Sequence, residues 1–99
     1  MNILIIGGTK FIGPHVVKIL HEKGHQITLF HRGETEYLLP FSVNYIKGNR
    51  TNLSDFRKQF SILSPDIVID MIPYSEDDAT QLTKAFVGIA KRILFFRWN

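Results

Sequence analysis

The chain has 99 residues, of which 44% are hydrophobic and 21% are charged, and this is the composition of one small globular domain. It contains no cysteine, which excludes a disulfide framework and thiolate metal sites, and no apolar run approaches the ~20 residues that span a bilayer. The net charge of +3 comes from scattered basic residues that form no stripe of the kind that binds nucleic acids. The amino terminus lacks the features of a signal peptide, so we expect a cytoplasmic protein without a membrane partner.

The first predicted elements are a buried strand, a glycine turn and a helix. Asn2–Ile6 is nearly continuous in aliphatic residues, as a strand covered on both faces should be. Gly7 and Gly8 follow directly, and apolar residues then recur at helical spacing over residues 12–20. Gly24 is the expected end of this helix.

Four further apolar runs predict strands at Gln26–His31 and at residues 43–47, 66–72 and 93–96. The connections between them are short, and two of them have helical patterns. This alternation predicts an α/β fold, a Rossmann-type doubly wound parallel sheet of five strands in the order 3-2-1-4-5. We expect a single domain over residues 1–99.

Two more helices are predicted between the later strands. Asn52 has the character of an N-cap for a helix that buries Leu53, Phe56 and Phe60 and ends at Ser64. Ser75 is expected to cap a last helix that begins with three acidic residues. Its predicted core face continues at helical spacing as far as Ala90; the residues are Ala79, Leu82, Ala85, Phe86, Ile89 and Ala90.

The glycine turn is the strongest functional signal in the sequence. Gly7 and Gly8 allow a tight turn and a close approach of the backbone to a pyrophosphate, and Gly13 allows the helix to pack closely on the first strand. The alternative is that the glycines only make a sharp turn. A Walker-type phosphate loop is excluded, because no Gly-Lys-Ser or Gly-Lys-Thr follows.

The end of the second strand indicates which dinucleotide is bound. NAD sites usually carry an acidic residue there, but this chain has His31 and Arg32 and no carboxylate before Glu34. The guanidinium of Arg32 suits a phosphate, and Lys10 offers a second cation. The sequence therefore favours NADP over NAD, unless Arg32 simply points into solvent.

Three motifs carry a resemblance: Gly-Gly-Thr-Lys-Phe-Ile-Gly, which starts at Gly7, Leu-Phe-His-Arg-Gly, which starts at Leu29, and Gly-Asn-Arg-Thr-Asn, which starts at Gly48. Together with His15 and the Gly24-His25 pair, they resemble the extended short-chain dehydrogenases/reductases, and within them the NAD-dependent epimerase/dehydratase family. The opening motif is similar to that of an atypical subgroup that includes the chloroplast stem-loop-binding proteins. The resemblance covers essentially the whole chain.

The resemblance implies a set of cofactor-binding residues. The pyrophosphate would lie against the glycine turn, the adenosine ribose against the end of the second strand, the adenine by the segment after the third strand, and the nicotinamide-side ribose by the segment after the fourth. In that order, the residues are Gly7, Gly8, Thr9, Lys10, Phe11, Ile12 and Gly13; His31 and Arg32; Asn49 and Arg50; and Met71, Ile72 and Pro73.

Departures from the family pattern bear on catalysis. Lys10 replaces a third glycine, and Asn49 replaces an acidic residue that often contacts adenine. The family's catalytic Tyr-x-x-x-Lys pair is missing, because the residues four positions after the three tyrosines are Phe41, Asn49 and Asp78. We therefore expect the front part of an epimerase/dehydratase-like protein, which holds a dinucleotide but lacks its general acid/base and is inactive alone. No catalytic residue and no metal site is assigned.

Two expectations concern partners. The fifth strand would expose an apolar edge, which favours self-association through that edge. The alternative function is a nucleotide-fold module that binds RNA or a protein partner without redox chemistry. The basic pI of 9.4 and the stem-loop-binding resemblance motivate it.

Overall fold

The computed structural model describes residues 1–7, 13–31, 43–71 and 76–95. The strands in those ranges form one parallel sheet in the order β3-β2-β1-β4-β5, which confirms the predicted topology. The strands are β1 (Asn2–Ile6), β2 (Gln26–His31), β3 (Asn44–Lys47), β4 (Ile67–Asp70) and β5 (Arg92–Phe95). The helices are α1 (Gly13–Glu22), a 3₁₀ helix (Arg50–Phe56), α2 (Arg57–Leu63) and α3 (Glu76–Phe86).

The sheet separates two hydrophobic clusters. Alternate residues of β1 point to opposite faces, so that Leu4 and Ile6 belong to one cluster while Ile3 and Ile5 belong to the other. The first cluster is covered by the 3₁₀ helix, α2 and α3, and the second by α1. Burial on both faces explains why the strand reads as a continuous aliphatic run.

Aromatic rings form the centre of the first cluster. Phe60 stacks on Phe86 with ring centroids 4.5 Å apart, and its edge-to-face contact with Phe30 spans 5.7 Å. Phe56 meets Phe30 edge to face at 5.1 Å. These rings join α2 and α3 to β2, as the predicted apolar face of Leu53, Phe56 and Phe60 required.

The caps of the helices differ in part from the sequence predictions. Asn49, not Asn52, is the N-cap: its Oδ1 accepts hydrogen bonds from the Thr51 N–H and hydroxyl, each at 3.0 Å. The prediction for Asn52 was wrong, because the helical turn begins earlier, at Arg50; Asn52 lies at a kink inside the 3₁₀ helix, where its φ of −115° and ψ of 26° depart from helical values. The predicted end of α2 is confirmed by Ser64, which adopts the left-handed conformation at φ 53°.

The last helix is shorter than its apolar pattern suggested. It ends at Phe86, and its final carbonyls are bound by the guanidinium of Arg57, which donates to Lys84, Ala85 and Val87 at 2.7–3.1 Å. Carbonyls at a helix end lack intrahelical partners, so the arginine stabilises this end, while Gly88, at a φ of 74°, is the left-handed residue that ends the helical pattern. The predicted cap Ser75 and the strand residue Phe96 lie outside the described residues.

The amino end of the sheet is held by polar contacts that involve Asp66. Its carboxylate accepts a hydrogen bond from the Asn2 N–H at 2.9 Å and pairs with Lys91 at 3.1 Å. The hydrogen bond from Asn2, helped by Lys91, lowers the pKa of Asp66 below its ordinary value. Asp66 thus ties β4 to β1 at the edge opposite the candidate site. None of the helices in the described ranges has the length and hydropathy needed to cross a membrane.

Candidate dinucleotide site

The carboxyl ends of β1 and β4 form a topological switch point. The chain leaves β1 towards β2 on one side and returns to β4 on the other, so the connections diverge there. In open α/β sheets, ligands bind in the crevice outside the strand ends at such a point. The described residues of the predicted site all lie at this edge of the sheet.

Gly7 begins the turn that follows β1. Its φ of 77° lies in the left-handed region, which an L side chain rarely adopts, and its N–H donates to the Phe30 carbonyl at 3.2 Å. The first helix starts at Gly13, so a helix N-terminus follows the turn within a few residues. A helix N-terminus and a glycine turn together suit a pyrophosphate. Five predicted site residues lie outside the described residues: Gly8, Thr9, Lys10, Phe11 and Ile12.

His31 lies at the end of β2, beside the first residues after β3. It is half-buried, its carbonyl accepts a hydrogen bond from the Gly48 N–H at 2.9 Å, and its ring meets Tyr45 edge to face at 5.3 Å. Lys47 is its register partner on β3. Burial, with a smaller contribution from the Lys47 ammonium, lowers the pKa of His31 below its ordinary value. The lowered pKa favours the neutral form of the imidazole. Arg32 lies outside the described residues.

Gly48 is enclosed by two aromatic rings. A Cβ at this position would stand 2.5 Å from Phe56 Cζ and 2.7 Å from Phe30 Cζ. Without a Cβ, the backbone at Gly48 lies close against the two rings, and any other residue type would require a shift of the rings or of the backbone. This close approach brings the predicted adenine-binding residue Asn49 next to the end of β2.

Arg50 forms an ion pair with Asp70, the last residue of β4. Asp70 is fully buried, and the Arg50 side chain is 16% exposed. The resemblance implied that Arg50 lies by the adenine; the structure shows its guanidinium directed to Asp70. Sequence reasoning did not single out Asp70. The sequence does contain a signal for Asp70, which is a carboxylate in an otherwise apolar strand. Because buried charges are almost always paired, such a residue indicates an ion pair.

Met71 is the only residue of its predicted trio within the described ranges, since Ile72 and Pro73 lie outside them. Its N–H donates to the Ile6 carbonyl at 3.0 Å, which places its backbone at the switch point. Its side chain is buried in the cluster under α1. Elsewhere in the described part of the chain, no three His, Cys, Asp or Glu side chains are grouped so as to hold a metal ion.

Two curated proteins are similar to this chain in sequence. It is 27% identical over 94 residues to the 2′-dehydrokanamycin reductase of Streptomyces kanamyceticus, covering 95% of this chain and 27% of that protein. It is 37% identical over 105 aligned residues to the chloroplast stem-loop binding protein of 41 kDa b of Arabidopsis thaliana, covering 93% and 28%. The chain thus spans little more than a quarter of the length of these relatives.

Solved structures share the fold. The Bordetella bronchiseptica enzyme WbmG, in complex with NAD, superimposes with a TM-score of 0.80 at 23% identity, over 98% of this chain and 37% of that one. The sequence profile of the NAD dependent epimerase/dehydratase family matches residues 3–94. That match runs from β1 into β5 and includes every described residue of the candidate site. The chain belongs to the NAD dependent epimerase/dehydratase family.

Proposed function

We propose that this chain binds an NADP or NAD dinucleotide across the carboxyl edge of its sheet and does not itself catalyse a reaction. The observation that carries the proposal is the left-handed turn at Gly7, set at the switch point and followed by the start of α1. Membership in a family described as NAD dependent supports it. The absence of a Tyr-x-x-x-Lys pair from the 99 residues supports the second part of the proposal, that they do not catalyse a reaction by themselves.

The proposed cofactor site extends along the edge from β3 to β4. Gly7, Gly8, Thr9, Lys10, Phe11, Ile12 and Gly13 would hold the pyrophosphate. The adenosine half would lie against His31, Arg32 and the segment that contains Asn49 and Arg50. The nicotinamide side would lie towards Met71, Ile72 and Pro73.

Titration with NADPH, NADH and a stem-loop RNA at two salt concentrations tests this function. We expect saturable dinucleotide binding that changes little with salt. RNA binding depends steeply on salt, because it releases counterions from phosphates. Binding of the RNA alone would replace the proposal with an RNA-binding module, which the named function of the Arabidopsis relative motivates.

The preference for NADP rests on Arg32. Replacing Arg32 by Ala should weaken NADPH binding by about 1.5–3 kcal/mol, or roughly 10- to 150-fold, because only NADPH carries a 2′-phosphate to meet the guanidinium. NADH affinity should be nearly unchanged. Isothermal titration of both cofactors measures the difference. Lys58→Ala is the matched control, since it removes one exposed positive charge from α2, away from the site. Equal losses for NADPH and NADH would remove Arg32 from the phosphate site.

The proposed self-association uses the edge of β5. This strand pairs with β4 and, among the described strands, with no other. Leu94 and Phe95 are 49% and 40% exposed, unusually high for large apolar side chains in a sheet. A strand with free backbone donors and acceptors and apolar side chains is a template for a second copy.

Sedimentation velocity at several concentrations tests this association. We expect a dimer whose population rises with concentration, and Phe95→Lys should shift it to the monomer because the added charge opposes edge pairing. Ile62→Lys is the control: Ile62 is also an exposed apolar residue, but it lies on α2 and not at a strand edge. Monomer at every concentration in the unmodified chain would reject the edge as an interface.

A further inference from the structure

The Arg50–Asp70 ion pair connects two parts of the candidate site that lie far apart in sequence. Arg50 opens the 3₁₀ helix three residues after β3, whereas Asp70 ends β4. In the sheet, β2 and β1 stand between those strands. The pair therefore reaches from the adenine side of the crevice, as the resemblance assigns it, to the switch point between β1 and β4.

The Asp70 end of this pair lies at the base of the crevice. Asp70 is the register partner of Ile6, the residue that precedes the Gly7 turn. The next residue along, Met71, donates its N–H to the Ile6 carbonyl at 3.0 Å. Asp70 is therefore the last residue of β4, and it lies beside the residue of β1 that immediately precedes the Gly7 turn.

The Arg50 end belongs to a segment that is held at several points. The Gly48 N–H donates to the His31 carbonyl, and the glycine itself packs against Phe30 and Phe56. Asn49 caps the 3₁₀ helix through Thr51. The ion pair adds the contact that joins this segment to the far side of the crevice. A buried ion pair contributes little net stability compared with apolar residues of similar volume, and a role in fixing conformation is one reason to retain such a pair.

We propose that the Arg50–Asp70 pair positions the Gly48–Arg50 segment as a preformed wall of the dinucleotide crevice and thereby sets the affinity for the adenosine half of the cofactor. Arg50 and Asp70 are positioning residues in this scheme. The inference rests on the proposed function, because it concerns the same site. A preformed wall raises affinity because the bound cofactor does not have to order it.

The test separates positioning from stability by removing both charges together. Replacing a buried ion pair by apolar residues usually keeps a protein folded, whereas removing one partner leaves a buried charge uncompensated. The double variant Arg50→Leu with Asp70→Leu should therefore keep a melting temperature close to that of the unmodified chain. We expect it to bind NADH and ADP about tenfold more weakly, the loss that follows when roughly one residue must be ordered again on binding. A purely structural role would leave both affinities unchanged in a folded variant.

Two further variants complete the experiment. Arg50→Lys keeps the charge pair with a different geometry, and it should weaken the binding of NADH and the binding of ADP by the same factor. Unchanged affinities for both ligands would overturn the inference even if the double variant failed to fold. Lys91→Leu is the control, because it removes the partner of Asp66 at the other end of β4 and should leave both affinities unchanged.

The possible failures are distinguishable. Affinities like those of the unmodified chain, in a folded double variant, overturn the positioning role alone. Absence of NADH and NADPH binding by the unmodified chain overturns the proposed function, and this inference with it.

Discussion

Replacing Phe60 by Ala will lower the free energy of unfolding by about 3–5 kcal/mol. The ring is completely buried and stacks on Phe86 of α3, while its edge-to-face contact with Phe30 reaches β2. Truncation removes the buried area and leaves a cavity between elements that belong to the sheet and to both helices. A domain of this size has a total stability of about 5–15 kcal/mol, so much of the folded margin would be lost.

Urea unfolding followed by circular dichroism measures this effect. The midpoint should fall while the slope with denaturant stays constant, which shows that stability and not compactness has changed. Ile62→Ala is the matched control, because Ile62 lies two residues further on the same helix and is 78% exposed. Its effect should stay within about 0.5 kcal/mol. A loss below 1 kcal/mol for Phe60→Ala would contradict the central role of this ring.

The order of the strands could be predicted from the sequence because their burial leaves a strong pattern. β1 and β2 are covered on both faces, so their central residues are apolar, with Thr28 as the exception. Short connections and right-handed crossovers then leave one simple arrangement. The end of α2 was also predicted from a local pattern, and the predicted end at Ser64 coincides with a residue in the left-handed conformation.

The contacts between distant elements could not be predicted. Nothing in the spacing of Arg50 and Asp70 shows that they meet, because their distance depends on the sheet order and on the path of the segment after β3. The contact of Arg57 with the end of α3 likewise joins two helices that are distant in sequence. At the 3₁₀ helix, the sequence favoured Asn52 as the cap, but the structure begins the helical turn at Arg50 and caps it with Asn49.

The candidate site also combines features that could be predicted from the sequence with contacts that could not. The glycine turn was predicted from the order of strand, glycines and helix; in the structure, Gly7 follows β1 with a left-handed φ, and α1 starts at Gly13. The roles of Asn49 and Met71 came from a resemblance, and both residues lie at the expected edge of the sheet. Their side chains have further partners that a family pattern does not contain: Asn49 caps a helix and Met71 fills the cluster under α1.

Replacing Gly48 by Ala will lower the free energy of unfolding by about 3 kcal/mol and will weaken dinucleotide binding in the protein that remains folded. The added Cβ would approach Phe56 Cζ to 2.5 Å and Phe30 Cζ to 2.7 Å, so either the rings or the segment at Gly48 must shift. Phe30 is buried in the first cluster and resists movement of its ring, which favours a shift of the segment away from the end of β2. Chemical denaturation and NADH titration of the same variant measure the two effects.

Gly24→Ala is the control for this substitution. Gly24 has a φ of 87° and no atom within 4 Å of an added Cβ, so only the conformational cost remains, about 1–2 kcal/mol. It lies after α1, at the end of the sheet opposite the site, and NADH affinity should be unchanged. If Gly48→Ala and Gly24→Ala lose equal stability and both keep full affinity for NADH, then the close packing of Gly48 against the two rings does not shape the crevice.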